Sequence, residues 1–275
     1  MNREIDVFEG RNVRLINDKI YCLFGEDEYI DDFPYKTYQE MESAVRNIKA
    51  VKIGTNNDID ENFEKRSITF PISLAFDYGV LSKKRIPTYK EVIDMYIKLS
   101  LEDNGDGTYT ERKRLGSTFT VSYEAVTVRI HKGYYSFIRE YMTFLALKEK
   151  LSKHGATVFM NREDDYKGRI DIGVIYNNIL YIIDTSVKTK RSDEFEQKKI
   201  DGTRRNMNDV EQSLMEKYSC MDYCRILVKA NTHSGGNTYR CGEVLMYKTS
   251  VINGICNHIL TNNTYGTSIN ADELV

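Results

Sequence analysis

The chain has 275 residues, a formal net charge of −2, and a composition that is 41% hydrophobic and 29% charged. This length suffices for one decorated domain or two smaller ones, and no apolar run reaches the ~18 residues that a membrane span needs. The near-zero charge excludes the global basic field of a non-specific nucleic-acid binder, so any nucleic-acid contact must be local. Five irregularly spaced cysteines and the lack of a secretory pattern favour an intracellular protein, cytoplasmic or nuclear.

The amino-terminal part has mainly strand character with helical inserts. In chain order, we expect a hairpin over 13–24, a short helix over 38–52, a strand over 67–76, a helix over 87–102 and β-structure over 118–130. Pro87 supports the start of the helix over 87–102, because proline is favoured in the first turn of a helix. Residues 1–130 are therefore predicted to form a β-rich region, whose role the sequence does not indicate.

From His131 the pattern changes, and we expect a domain boundary near residue 130. The predicted order is a helix over 134–153, a strand over 156–160, a hairpin over 169–188, a helix over 192–218 and a strand over 223–230. A further strand is expected over 241–249, and residues 251–275 have the pattern of a tail. The predicted fold class is α/β, with a mixed central sheet flanked by helices over 131–250.

The hairpin over 169–188 is the most informative segment of the chain. Its turn is Asn177-Asn178, because asparagine tolerates the positive φ angles of a two-residue type I′ turn. Counting outward from that turn places Asp171 directly opposite Asp184, ~5 Å away on the same face of the sheet. Lys188 shares that face, since side chains alternate along a strand.

Two opposed carboxylates repel each other, and a divalent cation would remove the repulsion. Mg²⁺ and Mn²⁺ take carboxylate oxygens and promote phosphodiester hydrolysis, while a nearby lysine can orient water or offset charge. The alternative is that one aspartate ends a strand, the other is solvated, and the lysine is a surface residue.

The acids, the lysine and the order of elements resemble the PD-(D/E)xK nuclease superfamily. Ile170 stands where the motif has proline, and Ser186 stands where a strict reading ending at Lys188 requires an acid. The cap-snatching endonucleases of segmented negative-strand RNA viruses are more similar, because their lysine lies in the following helix, about fourteen residues after the second acid. The segment Ile183 to Lys199 is similar to their pattern of hydrophobic residue, acid, any residue, Thr or Ser, Val, then a Phe-Glu-x-Lys-Lys helix.

This resemblance implies a restriction-endonuclease-like core and a site that binds Mn²⁺ or Mg²⁺. Asp171 and Asp184 would hold the metal, and Lys198 would assist the water, with Lys188 or Lys199 as substitutes. The family adds a histidine and another acid from upstream, for which the candidates are His131 and Glu140, and an imidazole ligand would favour manganese. Asp165 is the alternative acid.

The sequence thus predicts a metal-dependent endonuclease, with RNA favoured over DNA by the resemblance. A basic run could follow the phosphates of the nucleic acid, or could simply be a solvated helix face. Its members are Lys188, Lys190, Arg191, Lys198, Lys199, Arg204 and Arg205. Two alternatives stay open: a DNA endonuclease of the restriction, transposon or phage type, and an inactive nuclease fold that serves as an interaction protein. In a viral protein, residues 1–130 would be the place for a protein partner.

Overall fold

A computed structural model describes much of the chain. The described ranges are 5–8, 11–16, 19–22, 34–51, 72–111, 120–161, 164–165, 170–187, 207–231, 234–261 and 268–270. The helices are α1 (Tyr38–Arg46), α2 (Ile72–Lys83), α3 (Tyr89–Ser100), α4 (Tyr123–Leu151), α5 (Met207–Lys217) and α6 (Thr249–Thr261). None of the helices in these ranges has the length and apolar character needed to cross a membrane.

The strands form four separate sheets across the described ranges. They are β1 (Ile5–Phe8), β2 (Arg11–Ile16), β3 (Lys19–Cys22), β4 (Leu101–Asp103), β5 (Thr108–Glu111), β6 (Thr120–Ser122), β7 (Thr157–Phe159), β8 (Ile172–Tyr176), β9 (Ile179–Val187), β10 (Asp222–Ala230), β11 (Thr238–Cys241), β12 (Val244–Tyr247) and β13 (Ser268–Asn270). The mixture of helices, antiparallel sheets and one mixed sheet confirms the α/β class.

The chain divides into two compact units. One contains Met1–Tyr35 and Asn47–Ile138, and the other contains Lys36–Arg46 and Arg139–Val275. The division after Ile138 falls inside α4, eight residues beyond the boundary that the sequence predicts.

In the first unit, β1, β2 and β3 form an antiparallel sheet in that order. Ile16 pairs with Lys19, as the hairpin predicted around Asn17-Asp18 requires. The helix predicted from Pro87 is α3, which begins one residue after its N-cap Thr88. The Thr88 side chain accepts from the Glu91 amide while the Glu91 side chain accepts from the Thr88 amide, which satisfies two otherwise unpaired donors.

Two predicted strands of the first unit are helical. The strand prediction over 67–76 is wrong from Ile72 onward, where α2 begins and buries Ala75, Phe76 and Val80 at helical spacing. The β-structure predicted up to Ile130 is wrong from Tyr123, because α4 already begins there. Both helices bury β-branched or aromatic residues, and tertiary burial overrides their preference for strands.

The second unit is built around a five-stranded mixed sheet with the order β13-β10-β9-β8-β7. β7, β8 and β9 form an antiparallel meander, whereas β10 pairs in parallel with β9 and β13 pairs in parallel with β10. Part of α4 precedes the meander and α5 precedes β10, so the predicted order of helix, three strands, helix, strand is confirmed. The central strand β9 begins with five consecutive buried apolar residues, Ile179–Ile183, as strands covered on both faces do. In β10 the buried run Cys224–Ile226 includes Arg225, and burial alternates after it.

The carboxy-terminal part of the second unit differs from the prediction. The strand expected over 241–249 is the second half of a hairpin of β11 and β12. Residues 251–275, predicted to be a tail, contain most of α6 and also β13, which completes one edge of the sheet. The α6 side chains Val251, Ile252, Ile255 and Ile259 are buried, so this helix contributes to the core.

Candidate functional site

The β8–β9 hairpin positions the two predicted aspartates of the second unit. Asn177 and Asn178 have φ angles of 51° and 61°, as a type I′ turn requires. Tyr176 pairs with Ile179, and the ladder continues to Ile172 opposite Ile183, which confirms the predicted register. One further residue along this register, Asp171 lies opposite Asp184, so Asp171 precedes β8 while Asp184 is part of β9.

Asp171 is fixed by the opposite strand. Its Oδ2 accepts hydrogen bonds from the backbone N–H of Thr185 and, at 2.9 Å, from the Thr185 hydroxyl. These bonds cross the hairpin at the end of the ladder. They set the direction of the carboxylate, because one of its oxygens is committed to two donors.

Three other carboxylates act electrostatically on Asp171. Burial raises the pKa of Asp171 well above its usual value, and the charges of Glu140, Asp165 and Asp184 raise it further, while the Thr185 amide opposes the shift. Glu140 is supplied by α4 and is only 7% exposed. Three candidate acids, Asp184, Glu140 and the alternative Asp165, are therefore close enough to Asp171 for their charges to raise its pKa.

The neighbouring acid Asp164 has a different environment. It is buried, and both of its carboxylate oxygens lie 3.1 Å from the Lys217 ammonium on α5. It also accepts a hydrogen bond from the Tyr218 hydroxyl. Asp164 is therefore paired with a cation, and it is Asp165 whose charge raises the pKa of Asp171.

Asp184 has a cationic partner that sequence reasoning did not identify. Arg225 on β10 donates to Asp184 Oδ2, and its Nη2 lies 3.4 Å from Glu211 Oε1 on α5. Arg225 and Glu211 are both buried. The sequence does contain a signal for this pair, because an arginine within the apolar strand Tyr223–Ala230 needs an acid when it is buried.

A second arginine lies beside Glu140 in the sequence. The Arg139 guanidinium is 5.9 Å from the centre of the Tyr247 ring, and its Nη1 is 3.4 Å from the Leu245 carbonyl oxygen. Burial raises the pKa of Tyr247, Arg139 lowers it, and the charge of Asp171 raises it. Tyr247 and Arg139 therefore belong to the same electrostatic environment as the acids.

The donor set suits a hard divalent cation. Glu140, Asp165, Asp171 and Asp184 offer only carboxylate oxygens, which Mg²⁺ and Mn²⁺ prefer. Burial and, to a smaller extent, the neighbouring negative charges raise the pKa of Asp171, and a bound cation would favour its charged form. Across the described ranges, however, no three His, Cys, Asp or Glu side chains form a ready-made metal-binding group. Asp184 in particular is bound to Arg225.

His131, the predicted histidine ligand, belongs to the first unit. Its ring contacts those of Tyr89 and Tyr135 edge-on, at centroid distances of 5.8 and 5.7 Å. Its buried Nδ1 has no hydrogen-bond partner among the described residues, and burial lowers its pKa. Nine residues separate His131 from Glu140 on α4, which places them on opposite sides of the helix. Its role as a ligand stays a prediction.

The predicted catalytic lysines and basic surface lie outside the described residues. This applies to Lys188, Lys190, Arg191, Lys198, Lys199, Arg204 and Arg205. The first half of the helix predicted over 192–218 also lies there, and the described part is α5.

Comparison with known proteins finds no matching family model, no matching curated protein and no matching solved structure. The chemistry of the acids, the order of the elements and the resemblance of the sequence motif are what indicate a function.

Proposed function

We propose that this protein is a divalent-metal-dependent endonuclease that hydrolyses the phosphodiester bonds of nucleic acid, with RNA as the favoured substrate. The observation that carries the proposal is the carboxylate of Asp171, which has Glu140, Asp165 and Asp184 as charged neighbours. Such a group of acids is costly in a folded protein, and costly electrostatics are concentrated at functional sites.

The order of elements in the second unit supports this proposal. A helix, an antiparallel meander of three strands, a second helix and a strand parallel to the third are what a restriction-endonuclease-like core would contain. In that core, one acid lies at the start of the hairpin and the second lies on its return strand, at the same end of the two strands. Asp171 and Asp184 have this position here.

In the proposed reaction, Asp171, Asp184, Glu140 and Asp165 would hold Mn²⁺ or Mg²⁺. The cation would polarise the scissile phosphate and make a water molecule easier to deprotonate. Thr185 keeps Asp171 in position through its two hydrogen bonds. Lys198, or Lys188 in its place, would orient the attacking water and offset the charge of the transition state.

The inactive interaction protein stays a second candidate, because two observations favour it. Arg225 already neutralises Asp184, and no ready-made metal-binding group is present in the described ranges. A protein that uses this fold only to bind a partner, for example through residues 1–130, would bind no metal and cleave nothing.

The test combines thermal unfolding with and without millimolar Mn²⁺ and cleavage of labelled single-stranded RNA, single-stranded DNA and duplex DNA. Three proteins are compared: the wild type, Asp171→Ala, and Asp164→Asn as a matched control on the neighbouring acid. The proposal expects a Mn²⁺-dependent rise in Tm and cleavage in the wild type, a loss of both in Asp171→Ala, and their retention in Asp164→Asn.

Preferential cleavage of RNA supports the favoured substrate, and preferential cleavage of DNA assigns the DNA-endonuclease alternative. A wild type that neither shifts nor cleaves contradicts the nuclease proposal and supports the interaction protein.

A further inference from the structure

Arg225 is a buried cation placed directly on one of the proposed metal ligands. Its Nη1 donates to Asp184 Oδ2, while its Nε and Nη2 both lie 3.4 Å from Glu211 Oε1. The side chains of Arg225, Asp184 and Glu211 are 8%, 23% and 2% exposed. One guanidinium is therefore shared between a partly accessible acid and a fully enclosed one.

The sheet register fixes this arrangement. Leu227 of β10 pairs with Asp184 of β9 in the parallel ladder, and Arg225 is two residues earlier on β10. Residues two apart on a strand share one face of the sheet, so Arg225 reaches Asp184 diagonally across that face. The contact depends on strand pairing, which is more rigid than a surface loop.

We propose that Arg225 is an internal counter-cation that competes with the divalent metal for Asp184, so that it holds this acid in the metal-free protein and weakens metal binding. The inference rests on the proposed function, since it takes Asp184 as a metal ligand. Glu211 is part of this arrangement, because it still compensates the charge of Arg225 when Asp184 binds the metal. An arginine that only supported the fold would not affect metal affinity in this direction.

The experiment titrates the metal-stripped full chain with Mn²⁺ alone and measures binding by calorimetry. The main variant is Arg225→Gln/Glu211→Gln, which removes both charges and leaves neither member of the buried pair alone. In this double variant no guanidinium competes for Asp184, so Mn²⁺ binding should tighten. In Arg225→Gln alone, where one positive charge is lost and Glu211 stays charged, the gain should be about tenfold. Adding Asp184→Asn to the double variant should abolish the gain.

Two matched variants isolate the charge of Arg225. Glu211→Gln alone should bind Mn²⁺ no more tightly than the wild type, and Arg225→Lys, which keeps the charge, should remain within about threefold of it. Arg225→Gln alone is the second variant that is neutral at position 225. It keeps the Glu211 charge, so it should show at least the gain of the double variant, and it replaces the double variant if that protein fails to fold. Thermal unfolding in EDTA checks the folding of each protein.

Each result decides the proposal. Tighter binding by the neutral variants supports it, as does binding by those variants when the wild type binds no Mn²⁺. Binding by the wild type with equal or weaker binding by the neutral variants overturns the competition and leaves the proposed function intact. No binding by any of these proteins overturns both.

Discussion

At the scale of single residues, we expect the charge of Asp171 to make the metal-free protein less stable at neutral pH. The pKa of Asp171 is raised in the folded state. The protonated carboxyl therefore stabilises the fold fully at a pH below the pKa of Asp171 in the unfolded chain, and this stability is lost as the pH rises through the pKa in the folded state. Asp171→Asn keeps an acceptor for Thr185 but removes the charge. We expect this variant to raise the Tm in EDTA at pH 7.5 by ~2–4 °C, as relief of ~1 kcal/mol of repulsion would do.

Thermal unfolding in EDTA between pH 5 and 8 measures this effect. The Tm difference between Asp171→Asn and the wild type should shrink as the pH falls, because the wild-type carboxylate becomes protonated. Asp164→Asn is the control, and it should lower the Tm because it weakens the pair with Lys217. A lower Tm for Asp171→Asn at neutral pH would contradict the account.

His131 should have the opposite pH dependence. Burial favours the neutral imidazole and lowers the pKa of His131 in the folded state. The fold is therefore most stable above the unfolded pKa of ~6.5, and stability is lost as the pH falls below that value. His131→Phe keeps an aromatic ring against Tyr89 and Tyr135. We expect this variant to lose less Tm than the wild type between pH 7.5 and 5.5, by roughly 2 °C, as measured by calorimetric unfolding. Parallel curves for the two proteins would show that His131 does not titrate within the fold.

At the scale of elements, the Asn177-Asn178 turn fixes the register on which the acids depend. Both residues have left-handed φ angles, which cost a β-branched residue ~1–2 kcal/mol. Asn178→Val should therefore lower the stability by about that amount, whereas Asn178→Gly, which produces the favoured Asn-Gly turn, should preserve or slightly raise it. Denaturant unfolding distinguishes the two, and equal stabilities would argue against a type I′ turn.

Gly173 lies on β8 and pairs with Phe159 of β7. A β-carbon at this position would overlap the ring of Phe159, which packs against the tilted ring of Tyr218 at a centroid distance of 4.6 Å. Gly173→Ala should cost ~1–3 kcal/mol of unfolding free energy through overpacking. The control is the same substitution in a Phe159→Ala background, where the cost should nearly vanish. An equal cost in both backgrounds would assign it to the backbone and not to the ring.

The sequence predicted those parts of the fold that local chemistry determines. The hairpin was predictable because two asparagines mark its turn, and the pairing then places Asp171 opposite Asp184. The start of α4 at Tyr123 was not predictable in this way, since the valines and isoleucine that α4 buries before residue 131 also suit a strand. Arg225 was missed for a related reason: its partners, Asp184 and Glu211, are distant in sequence and meet it only in the folded sheet.

At the scale of the whole molecule, the formal net charge of −2 limits how the protein can bind nucleic acid. Long-range attraction is weak, so affinity must come from a few local contacts to phosphates. For single-stranded RNA, about three such contacts would give a slope of roughly −2 in a plot of log K against log salt.

We predict that Arg204→Gln/Arg205→Gln makes this slope less negative by about 1, because it removes up to two contacts at ~0.7 each. Arg85→Gln, which alters an exposed arginine of the first unit paired with Glu91, should leave the slope unchanged. Fluorescence anisotropy of labelled RNA in EDTA, over a series of salt concentrations, measures all three proteins without cleavage. A wild-type slope steeper than about −6 would require a broad basic surface that the overall charge does not supply, and an unchanged slope in the double variant would place the contacts elsewhere in the chain.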